Sequence, residues 1–380
     1  MYISYKSSRY IFFICYDIKM KELNFPNFSH SQINRAGEVL RAKKIKSKEY
    51  EEALQIVGEW RACHAYPIKT FKSTLRKKVK KYENPIVAQR LKRLPTILDK
   101  LQRYPEMELS RMHDIGGVRA VVNTVEEVRE LQKEYHDEQR FTHQLVREDD
   151  YVANPKKDGY RGVHLVYKYN NTRARKGNAD KFKGLRIELQ LRTKLQHEWA
   201  TAVETLGFIR DESLKSQKGN KEWLNFFKIV SSAFAHLEES NPIQEHKGMR
   251  TNEILAELVR QANKMHALVQ LEGYAFAARL IHTKYRAGYY KLILLNTKEK
   301  TVTIHSYKQD ELNKASNHYS YLEKENAYND EVEIVLVSAG SMKSLMLAYP
   351  NYFLDIKQFL EHIRYLIQEE VGGKMDKSKL

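Results

Sequence analysis

The stretch Lys183–Thr193 reads KGLRIELQLRT and alternates between aliphatic and polar side chains from its third residue onward. Because side chains alternate across a β-strand, the polar members share one face. They are Arg186, Glu188, Gln190 and Arg192. The opposite face is wholly aliphatic, with Leu185, Ile187, Leu189 and Leu191. One acid and one amide flanked by arginines indicate a charged cleft more than a solvated surface. The stretch therefore predicts a sheet with one buried face and one face that lines a site.

Length and charge bound the classes of protein that fit. The chain has 380 residues, 42% of them hydrophobic, and a formal net charge of +17. This length suits one large domain or two ordinary ones with a real core. The segment Lys69–Arg103 holds twelve Lys or Arg residues against two acidic ones. Such a concentration favours a polyanionic partner, which is a nucleotide, RNA, DNA or an acidic membrane surface, over a merely solvated face.

Cysteine usage and the N-terminus predict the compartment. The two cysteines, Cys15 and Cys63, make no disulfide framework and indicate a reducing environment. No cysteine follows Cys63, so we expect no stable cysteine-ligated zinc in the C-terminal half. The apolar run Tyr10–Tyr16 is too short to span a bilayer. We expect a cytoplasmic protein with no membrane partner. Residues 1–19 are expected to be an upstream extension without a folding role, or alternatively an extra strand.

Hydrophobic periodicity predicts a mixture of helices and strands. Helices are expected at Ser29–Cys63, Thr70–Lys81, Pro85–Arg103, Val125–Tyr135, Lys194–Gly207 and Trp223–Glu238. Tyr66–Pro67 is expected to break the helical pattern after the first of them. Strands are expected at Val118–Val122, Val163–Tyr169 and Leu185–Arg192. Because the strands and helices lack regular βαβ spacing, the pattern predicts an α+β fold with a mixed sheet flanked by helices.

A polar linker, Ser240–Asn252, precedes a further set of elements with its own apolar pattern. Two strands near 289–295 and 301–307, a helix near 310–324, a strand at 332–338 and helices over 341–371 follow it. A stretch of this length can form a separate small domain. We therefore predict one domain over residues 20–240 and a C-terminal α/β domain over 250–380.

Asp114 and the loop 150–164 carry residues suited to chemistry. Asp114 precedes Gly116 and Gly117, which let a ligand or another backbone approach closely, although an aspartate that only stabilises a turn fits equally. The loop places Tyr160 among lysines, an arginine and a histidine, on a backbone bent by glycines. An aromatic ring among cations suits stacking on a base with phosphates nearby. The alternative for the loop is a mobile lid without a ligand.

Basic side chains recur on one face of the predicted helix 70–81 and just before it. Lys69, Lys72, Arg76 and Lys77 could clamp a triphosphate, or form a solvated helix face. The carboxylates of Asp114 and Glu188 could share Mg²⁺, which prefers oxygen ligands and substrate phosphates. Together these features fit nucleotidyl or pyrophosphoryl transfer, which depends on positioning and charge neutralisation.

Two other enzyme classes fit less well. The run that begins at His197 and Glu198 starts like a zinc-protease helix, but Thr201 stands where the second histidine is required. No glycine-rich loop with the Lys-Ser or Lys-Thr of a P-loop ATPase is present. We expect His197 and Glu198 to be helix residues that shape the wall of the cleft.

Three motifs in order resemble the RelA/SpoT-type alarmone synthetase family over about residues 40–210. They are HDIGGVRAVV (His113–Val122), DYVANPKKDGYRGVHLVY (Asp150–Tyr167) and RIELQLRTKLQHEWATAVE (Arg186–Glu204). A weaker match is KTFKSTLRKKVKK (Lys69–Lys81). The resemblance implies a nucleotidyltransferase-like fold that transfers pyrophosphate from ATP to the 3′-hydroxyl of an acceptor nucleotide.

The resemblance also implies roles for individual residues. Asp114 and Glu188 are expected to be catalytic and to bind Mg²⁺. The residues expected on the ATP side are Lys69, Ser73, Arg76, Lys77 and Arg119. Tyr160 is expected to stack on the acceptor base. The further acceptor or phosphate contacts are expected to be Lys156, His164, Gln190 and Arg192.

Some positions depart from the housekeeping members of the family. Asp158 replaces their usual Asn, Gly162 replaces a Ser, and Pro67 replaces the first arginine of their ATP-side motif. The departures and the C-terminal tail are similar to the toxic small alarmone synthetases, which modify the 3′ CCA end of tRNA. The layout is similar to that of CapRel-type fused toxin–antitoxin proteins of phage defence. It implies a C-terminal domain that resembles a zinc finger without zinc. This domain would inhibit the synthetase domain until a phage protein, such as the major capsid protein, binds.

Three functions follow as hypotheses. The first is a pyrophosphokinase that modifies tRNA, blocks translation and is inhibited in cis by its C-terminal domain. The second is a (p)ppGpp or (p)ppApp synthetase that acts on guanine or adenine nucleotides. The third is a non-enzymatic RNA- or capsid-binding sensor, against which the intact pair of Asp114 and Glu188 argues.

Overall fold

The computed structural model describes residues 28–42, 47–92, 94–137, 141–170, 180–210, 218–283, 288–296, 298–299, 301–326, 329, 331–338 and 352–372. The chain forms two compact units. Unit 1 comprises Met1–Asp149 with Val163–Leu191, and unit 2 comprises Asp150–Gly162 with Arg192–Leu380. The predicted extension over residues 1–19 lies outside the described residues. Among the described helices, none has both the length and the apolar character needed to cross a membrane.

Among the residues that the structure describes, five helices belong to unit 1: α1 (His30–Arg41), α2 (Lys48–Cys63), α3 (Ala65–Lys78), α4 (Leu94–Arg103) and α5 (Val125–Asp137). The first two begin at serine caps. Ser29 forms a capping box with Gln32, and the Ser47 side chain accepts from the Tyr50 amide. Pro67 lies in the first turn of α3, where its missing N–H costs no helical hydrogen bond. The predicted break at Tyr66–Pro67 is therefore the start of a helix.

Five strands form the sheet of unit 1: β1 (Ile86–Leu91), β2 (Gly116–Val122), β3 (Gln144–Asp150), β4 (Val163–Lys168) and β5 (Arg186–Thr193). Their order is β1-β2-β5-β4-β3. The α+β fold with a mixed sheet flanked by helices is confirmed. The helix predicted over Pro85–Arg103 is wrong in its first half, since β1 occupies that stretch and α4 begins at Leu94. Strand β3 was not predicted.

The aliphatic face of β5 is buried as predicted. Ile187 and Leu189 are fully buried, and Tyr167 lies opposite Ile187 on β4. Phe71 of α3 packs against Tyr167 with ring centroids 5.9 Å apart. Helix α3 therefore covers the aliphatic face of the sheet. A strand whose alternate residues are fully buried has a fixed register, so its polar residues are confined to the other face.

In the described part of unit 2 there are six helices: α6 (Lys194–Arg210), α7 (Lys218–Leu237), α8 (Thr251–Lys264), α9 (Ala267–Thr283), α10 (Leu312–Glu325) and α11 (Tyr352–Gly372). It also contains an antiparallel sheet in the order β7-β6-β8: β6 (Tyr290–Asn296), β7 (Thr301–Tyr307) and β8 (Val332–Ser338).

One apolar core joins the helices of unit 2. Its buried members include Trp199 of α6, Phe226 of α7, Leu258 of α8, Tyr274 of α9 and Phe359 of α11. Helices on both sides of the predicted boundary between residues 240 and 250 thus share one core. The division into compact units falls after Leu191, and the domain boundary between residues 240 and 250 stays a prediction. The stretch between α7 and α8 has only a short 3₁₀ turn at Gln244–His246, in line with the predicted linker.

Candidate active site

The polar face of the unit 1 sheet brings four predicted site residues together. Arg119 donates its Nε–H to Gln190 Oε1 at 3.1 Å. His164 lies directly opposite Gln190 in the β4–β5 pair. Glu188 is two residues from Gln190 on β5, so it points to the same side. The polar stripe predicted from the sequence is therefore a continuous polar surface over three strands.

Glu188 is held in place by two neighbours on this face. Its carboxylate accepts from Gln190 Nε2 at 2.7 Å and lies 3.0 Å from His164 Nδ1. Burial raises the pKa of Glu188, but the hydrogen bond and the charge of His164 outweigh burial and lower the pKa to about 2. Repulsion from Asp114 acts in the opposite direction, so the two carboxylates sense each other's charge. Glu188 is ionised at neutral pH.

Asp114 precedes β2, and two lysines bracket its carboxylate. Lys92 Nζ donates to Oδ2 at 2.8 Å, and Lys100 Nζ donates to Oδ1 at 2.9 Å. Burial raises the pKa of Asp114, but the two ammonium groups outweigh burial and lower the pKa to about 2. Burial lowers the pKa of Lys92, and Asp114 opposes that shift. The three residues form an ion cluster in which Asp114 stabilises both ammonium groups, while the two ammonium groups repel each other.

Lys92 and Lys100 were not predicted as site residues, because Pro85–Arg103 was predicted to be one basic helix. In the structure Lys92 follows β1 and Lys100 lies on α4. Pro95, in the first turn of α4, is the signal that a new helix begins there. That reading would have placed Lys92 in a short connection after a strand, where a side chain can reach a site.

Arg90 is a second residue that the sequence reasoning missed. In the β1–β2 pair Ala88 lies opposite Arg119, and Arg90 lies opposite Gly117. Arg90 and Arg119 therefore point to the same side of the sheet as diagonal neighbours, whose Cα atoms in such pairs lie roughly 7–8 Å apart. A Cβ added to Gly117 would lie 3.1 Å from the carbonyl oxygen of Glu188. Two planar guanidinium groups at this spacing suit an aromatic base, because guanidinium stacks on aromatic rings.

Apart from Arg119, which lies on β2, the residues predicted on the ATP side lie on α3. Ile68 of α3 would contact a Cβ built on Gly116, which faces away from Gly117 and hence away from Arg119. Helix α3 thus covers the face opposite to Glu188, and its predicted donor contacts are exposed: Lys69, Ser73, Arg76 and Lys77. Their assignment to the ATP side stays a prediction.

In unit 2, Tyr160 is surrounded by cations, as predicted for the loop 150–162. Arg192 Nη2 donates to Tyr160 Oη at 2.6 Å, and its guanidinium carbon lies 4.8 Å from the ring centroid. Lys156 Nζ lies 5.0 Å from the same ring and 4.3 Å from that of Tyr151. The Tyr151 ring meets Tyr160 edge-on at 5.8 Å. Three of the predicted acceptor contacts, Lys156, Tyr160 and Arg192, are therefore neighbours.

The donor set of unit 1 suits Mg²⁺. Among the described residues, no group of three or more His, Cys, Asp or Glu side chains could hold a metal ion by itself. Magnesium commonly uses one or two carboxylates and takes its other ligands from water and substrate phosphates. Asp114 and Glu188 are both ionised, and their mutual repulsion is the kind that a divalent cation relieves. These two residues would hold the ion.

Known proteins are similar to this part of the chain. Residues 89–206 match the family model described as "Region found in RelA / SpoT proteins". The GTP pyrophosphokinase YjbM of Bacillus subtilis is 32% identical over 124 residues, which cover 32% of this chain and 56% of that relative. A GTP pyrophosphokinase of Haemophilus influenzae is 29% identical over 158 residues, which cover 40% of this chain and 19% of that relative.

The chain thus spans about half of the first relative and a fifth of the second. The crystal structure of the small alarmone synthetase 1 from Bacillus subtilis superposes with a TM-score of 0.40 at 22% identity, covering 47% of this chain and 91% of that one. Residues 89–206 carry the region found in RelA/SpoT proteins.

Proposed function

We propose that this protein is a pyrophosphokinase that transfers pyrophosphate from ATP to a 3′-hydroxyl group. The observation that carries the proposal is the pair of ionised, mutually repelling carboxylates, Asp114 and Glu188, within the RelA/SpoT region. Mg²⁺ bound by them would neutralise the charge of the donor phosphates. Two carboxylates beside a row of arginines and lysines suit a triphosphate better than an uncharged substrate.

The donor side of the proposal rests on Arg90, Arg119, Lys92 and Lys100. The two arginines would hold the adenine between their guanidinium planes. The two lysines, which pair with Asp114 at 2.8 and 2.9 Å, would turn their ammonium groups to phosphate oxygens when ATP binds. Both changes exchange one charged partner for another, so no buried cation is left unpaired.

Glu188 is not suited to be a general base in this scheme. Its pKa of about 2 lies far below neutral pH, and an efficient base has a pKa near the working pH. Its carboxylate instead contributes fixed negative charge and orients Gln190 and, through it, Arg119. Phosphoryl-group transfer depends mainly on such positioning and charge stabilisation, so a strong protein base is not required.

The acceptor side of the proposal rests on Tyr160, Lys156 and Arg192. The ring of Tyr160 would stack on the acceptor base, and the two cations that flank it would meet phosphate oxygens. His164 and Gln190 remain proposed acceptor contacts from the polar face of unit 1.

We further propose that the acceptor is the 3′ CCA end of tRNA. The net charge of +17 and the exposed cations of α3 support a polyanion longer than a nucleotide. Lys69, Arg76 and Lys77 are exposed on α3, where they could contact the sugar–phosphate backbone of an RNA. The alternative is a guanine or adenine nucleotide that becomes (p)ppGpp or (p)ppApp. The names of the relatives, GTP pyrophosphokinases, favour the guanine nucleotide.

Regulation by the C-terminal segment is part of the proposal. Helix α11 packs into the same core as α6 and α7, and His362 Nδ1 lies 2.8 Å from the buried carboxylate of Glu198. A partner that binds α11 could thereby change unit 2, and a phage protein such as the major capsid protein is the proposed trigger. Growth arrest that depends on co-expression of a phage protein would support this proposal, and growth arrest without one would contradict it.

One experiment decides between the acceptors. Purified protein is incubated with γ-labelled ATP, Mg²⁺ and either deacylated tRNA, GTP, GDP or ATP alone as acceptor. Label on tRNA supports the toxin hypothesis, and label on a nucleotide supports the alarmone synthetase. Labelling of no acceptor by the wild-type protein, with or without candidate phage proteins, would contradict the enzymatic proposal.

A further inference from the structure

Glu238 is a buried carboxylate of unit 2 that the proposed reaction does not use. It follows the last residue of α7, and its side chain is 6% exposed. Its Oε2 accepts from Gln196 Nε2 at 3.0 Å and forms an ion pair with Arg161 Nη1 at 3.4 Å. Its Oε1 accepts a hydrogen bond from the Thr193 hydroxyl. A buried charge with this many partners fixes every group that it holds, because each would be costly to release.

The groups fixed by Glu238 are the chain neighbours of the proposed acceptor contacts. Arg161 directly follows Tyr160, and Thr193 directly follows Arg192. Tyr160 and Arg192 in turn contact each other through the 2.6 Å hydrogen bond. One carboxylate thus holds both backbone segments from which the stacking ring and its guanidinium partner project.

The attachment at Thr193 is rigid. The Gln196 amide donates to Thr193 Oγ1 at 3.2 Å, and the Thr193 amide donates to Gln196 Oε1 at 3.2 Å. This reciprocal pair is the capping-box arrangement at the start of α6. Both side chains of the box also donate to Glu238, so the start of α6 and the end of α7 are tied at one point.

Helix α7 and the turn after it hold the loop at three further places. Ser231 Oγ donates to the Gly159 carbonyl at 2.6 Å, Asn241 Nδ2 donates to the Ala153 carbonyl at 3.1 Å, and Arg161 Nη2 donates to Ser240 Oγ. Gly159 has φ of +98°, and a Cβ there would lie 2.8 Å from Trp199 Cζ2. The loop 150–162 is therefore packed closely on α6 and α7. Arg161 is its buried charge that pairs with Glu238.

We propose that Glu238 is a positioning residue for the acceptor, which keeps Tyr160 and Arg192 in their binding geometry before the acceptor arrives. The proposal rests on the acceptor roles proposed above for Tyr160 and Arg192. Preorganisation increases affinity by removing the cost of ordering the contact residues at the moment of binding. Loss of the Glu238 charge would release Arg161 and loosen the ring, while the donor residues of unit 1 keep their contacts.

The test compares Glu238→Gln with Glu239→Gln, the exposed neighbour, using tRNA and GTP as acceptors. Glu238→Gln should raise the acceptor KM about tenfold, which is roughly 1.4 kcal/mol, and leave the ATP KM within about twofold. Glu239→Gln should change neither constant. A rise of acceptor KM and ATP KM by the same factor, or an acceptor KM within twofold of wild type, would overturn the proposal.

A double variant shows whether Glu238 acts through the ring. In the Tyr160→Ala background, Glu238→Gln should change the acceptor KM by no more than about threefold, because the group that it positions is gone. An undiminished tenfold effect would refute the positioning role. If Tyr160→Ala alone leaves the acceptor KM unchanged, the proposed acceptor site fails; if only Glu238→Gln is silent, the positioning role alone fails.

A further pair of changes covers the case in which Glu238→Gln does not fold. Arg161→Met together with Glu238→Gln removes both charges, so no buried cation remains unpaired. This protein should show the thermal unfolding of the wild type and still have the raised acceptor KM. A folded double variant with a wild-type acceptor KM would show that the ion pair does not position the ring.

Discussion

The substitution Asp114→Asn, alone and combined with Lys92→Met, separates the stability of the ion cluster from its chemistry. The change keeps the shape of the side chain and removes the charge that Lys92 and Lys100 share. The pKa of Asp114 falls from 3.8 to about 2 in the folded protein. A lowered carboxyl pKa contributes stability above the unfolded value, and that contribution is lost as the pH falls through about 2. At neutral pH the shift corresponds to about 2 kcal/mol.

The buried lysine raises the expected total cost of the substitution above the value from the Asp114 pKa alone. The side chain of Lys92 is 7% exposed, so without Asp114 its ammonium group is buried beside other cations. Removing one partner of a fully buried pair costs roughly 3–5 kcal/mol. Asp114 itself is 21% exposed, so we expect the lower end, about 3 kcal/mol. Since 1 kcal/mol shifts the Tm of a domain of this size by roughly 2–4 °C, the unfolding midpoint should fall by about 6–12 °C.

The assay is thermal unfolding at pH 7 combined with transfer of label from γ-labelled ATP. Asp114→Asn should lose both stability and transfer. Adding Lys92→Met removes the unpaired charge and should restore most of the stability without restoring transfer. Asp99→Asn is the matched control, because its ion pair with Arg103 is exposed on both sides and such pairs contribute at most about 1 kcal/mol. An active Asp114→Asn protein would refute the catalytic role, and an unchanged midpoint would refute the ion-cluster argument.

Other predictions concern both units. Glu188→Gln should reduce transfer by roughly 10²-fold or more with an unchanged circular dichroism spectrum, and an active variant would remove the carboxylate from the site. Tyr160→Ala should raise the acceptor KM and spare the ATP KM in initial-rate measurements. Burial lowers the pKa of His64 from 6.5 to about 4, so the free energy of unfolding should decrease by roughly 3 kcal/mol as the pH falls from 6.5 to 4. His64→Phe should flatten this pH dependence, as measured by urea denaturation. Truncation after Ser240 should give an insoluble or unfolded protein, because α8, α9 and α11 complete the core around α6 and α7; a folded, monomeric fragment would contradict the shared core.

Strand β5 was predictable because its two faces differ completely in polarity. Ile187 and Leu189 are fully buried, and a period of two over eight residues has no helical interpretation. Strand β1 was not predictable in the same way. It pairs at one edge of the sheet, its residues are half-buried or exposed without alternation, and it carries Gln89 and Arg90. Without alternation in burial, the strand gives no period-two pattern from which it could be recognised.

The basic helix shows a different reason for failure. The sequence predicts which side of α3 is polar, and the structure agrees, since Ile68, Phe71 and Leu75 are buried. It does not say which face of the sheet those apolar residues cover, because a helix buries its apolar face equally well on either side. The sequence therefore predicted a cationic surface correctly but could not place it relative to Asp114. Cross-strand register, as for Arg90 and Arg119, supplies that information only once the strands are paired.

The register of β5 is what ties the proposed chemistry to the fold. Glu188, Gln190 and Arg192 are separated by single aliphatic residues, and the aliphatic residues fix the register through burial against the face that α3 covers. A slip by one residue would exchange the faces and place Glu188 in the aliphatic core without its polar partners. That would cost far more than a substitution of an exposed polar side chain. Side chains on the polar face can therefore be replaced singly, as in the variants above, while their positions stay fixed by residues that take no part in the reaction. Loss of transfer in a Glu188 or Gln190 variant can then be attributed to the missing group, because the strand that presents it is held by Ile187 and Leu189.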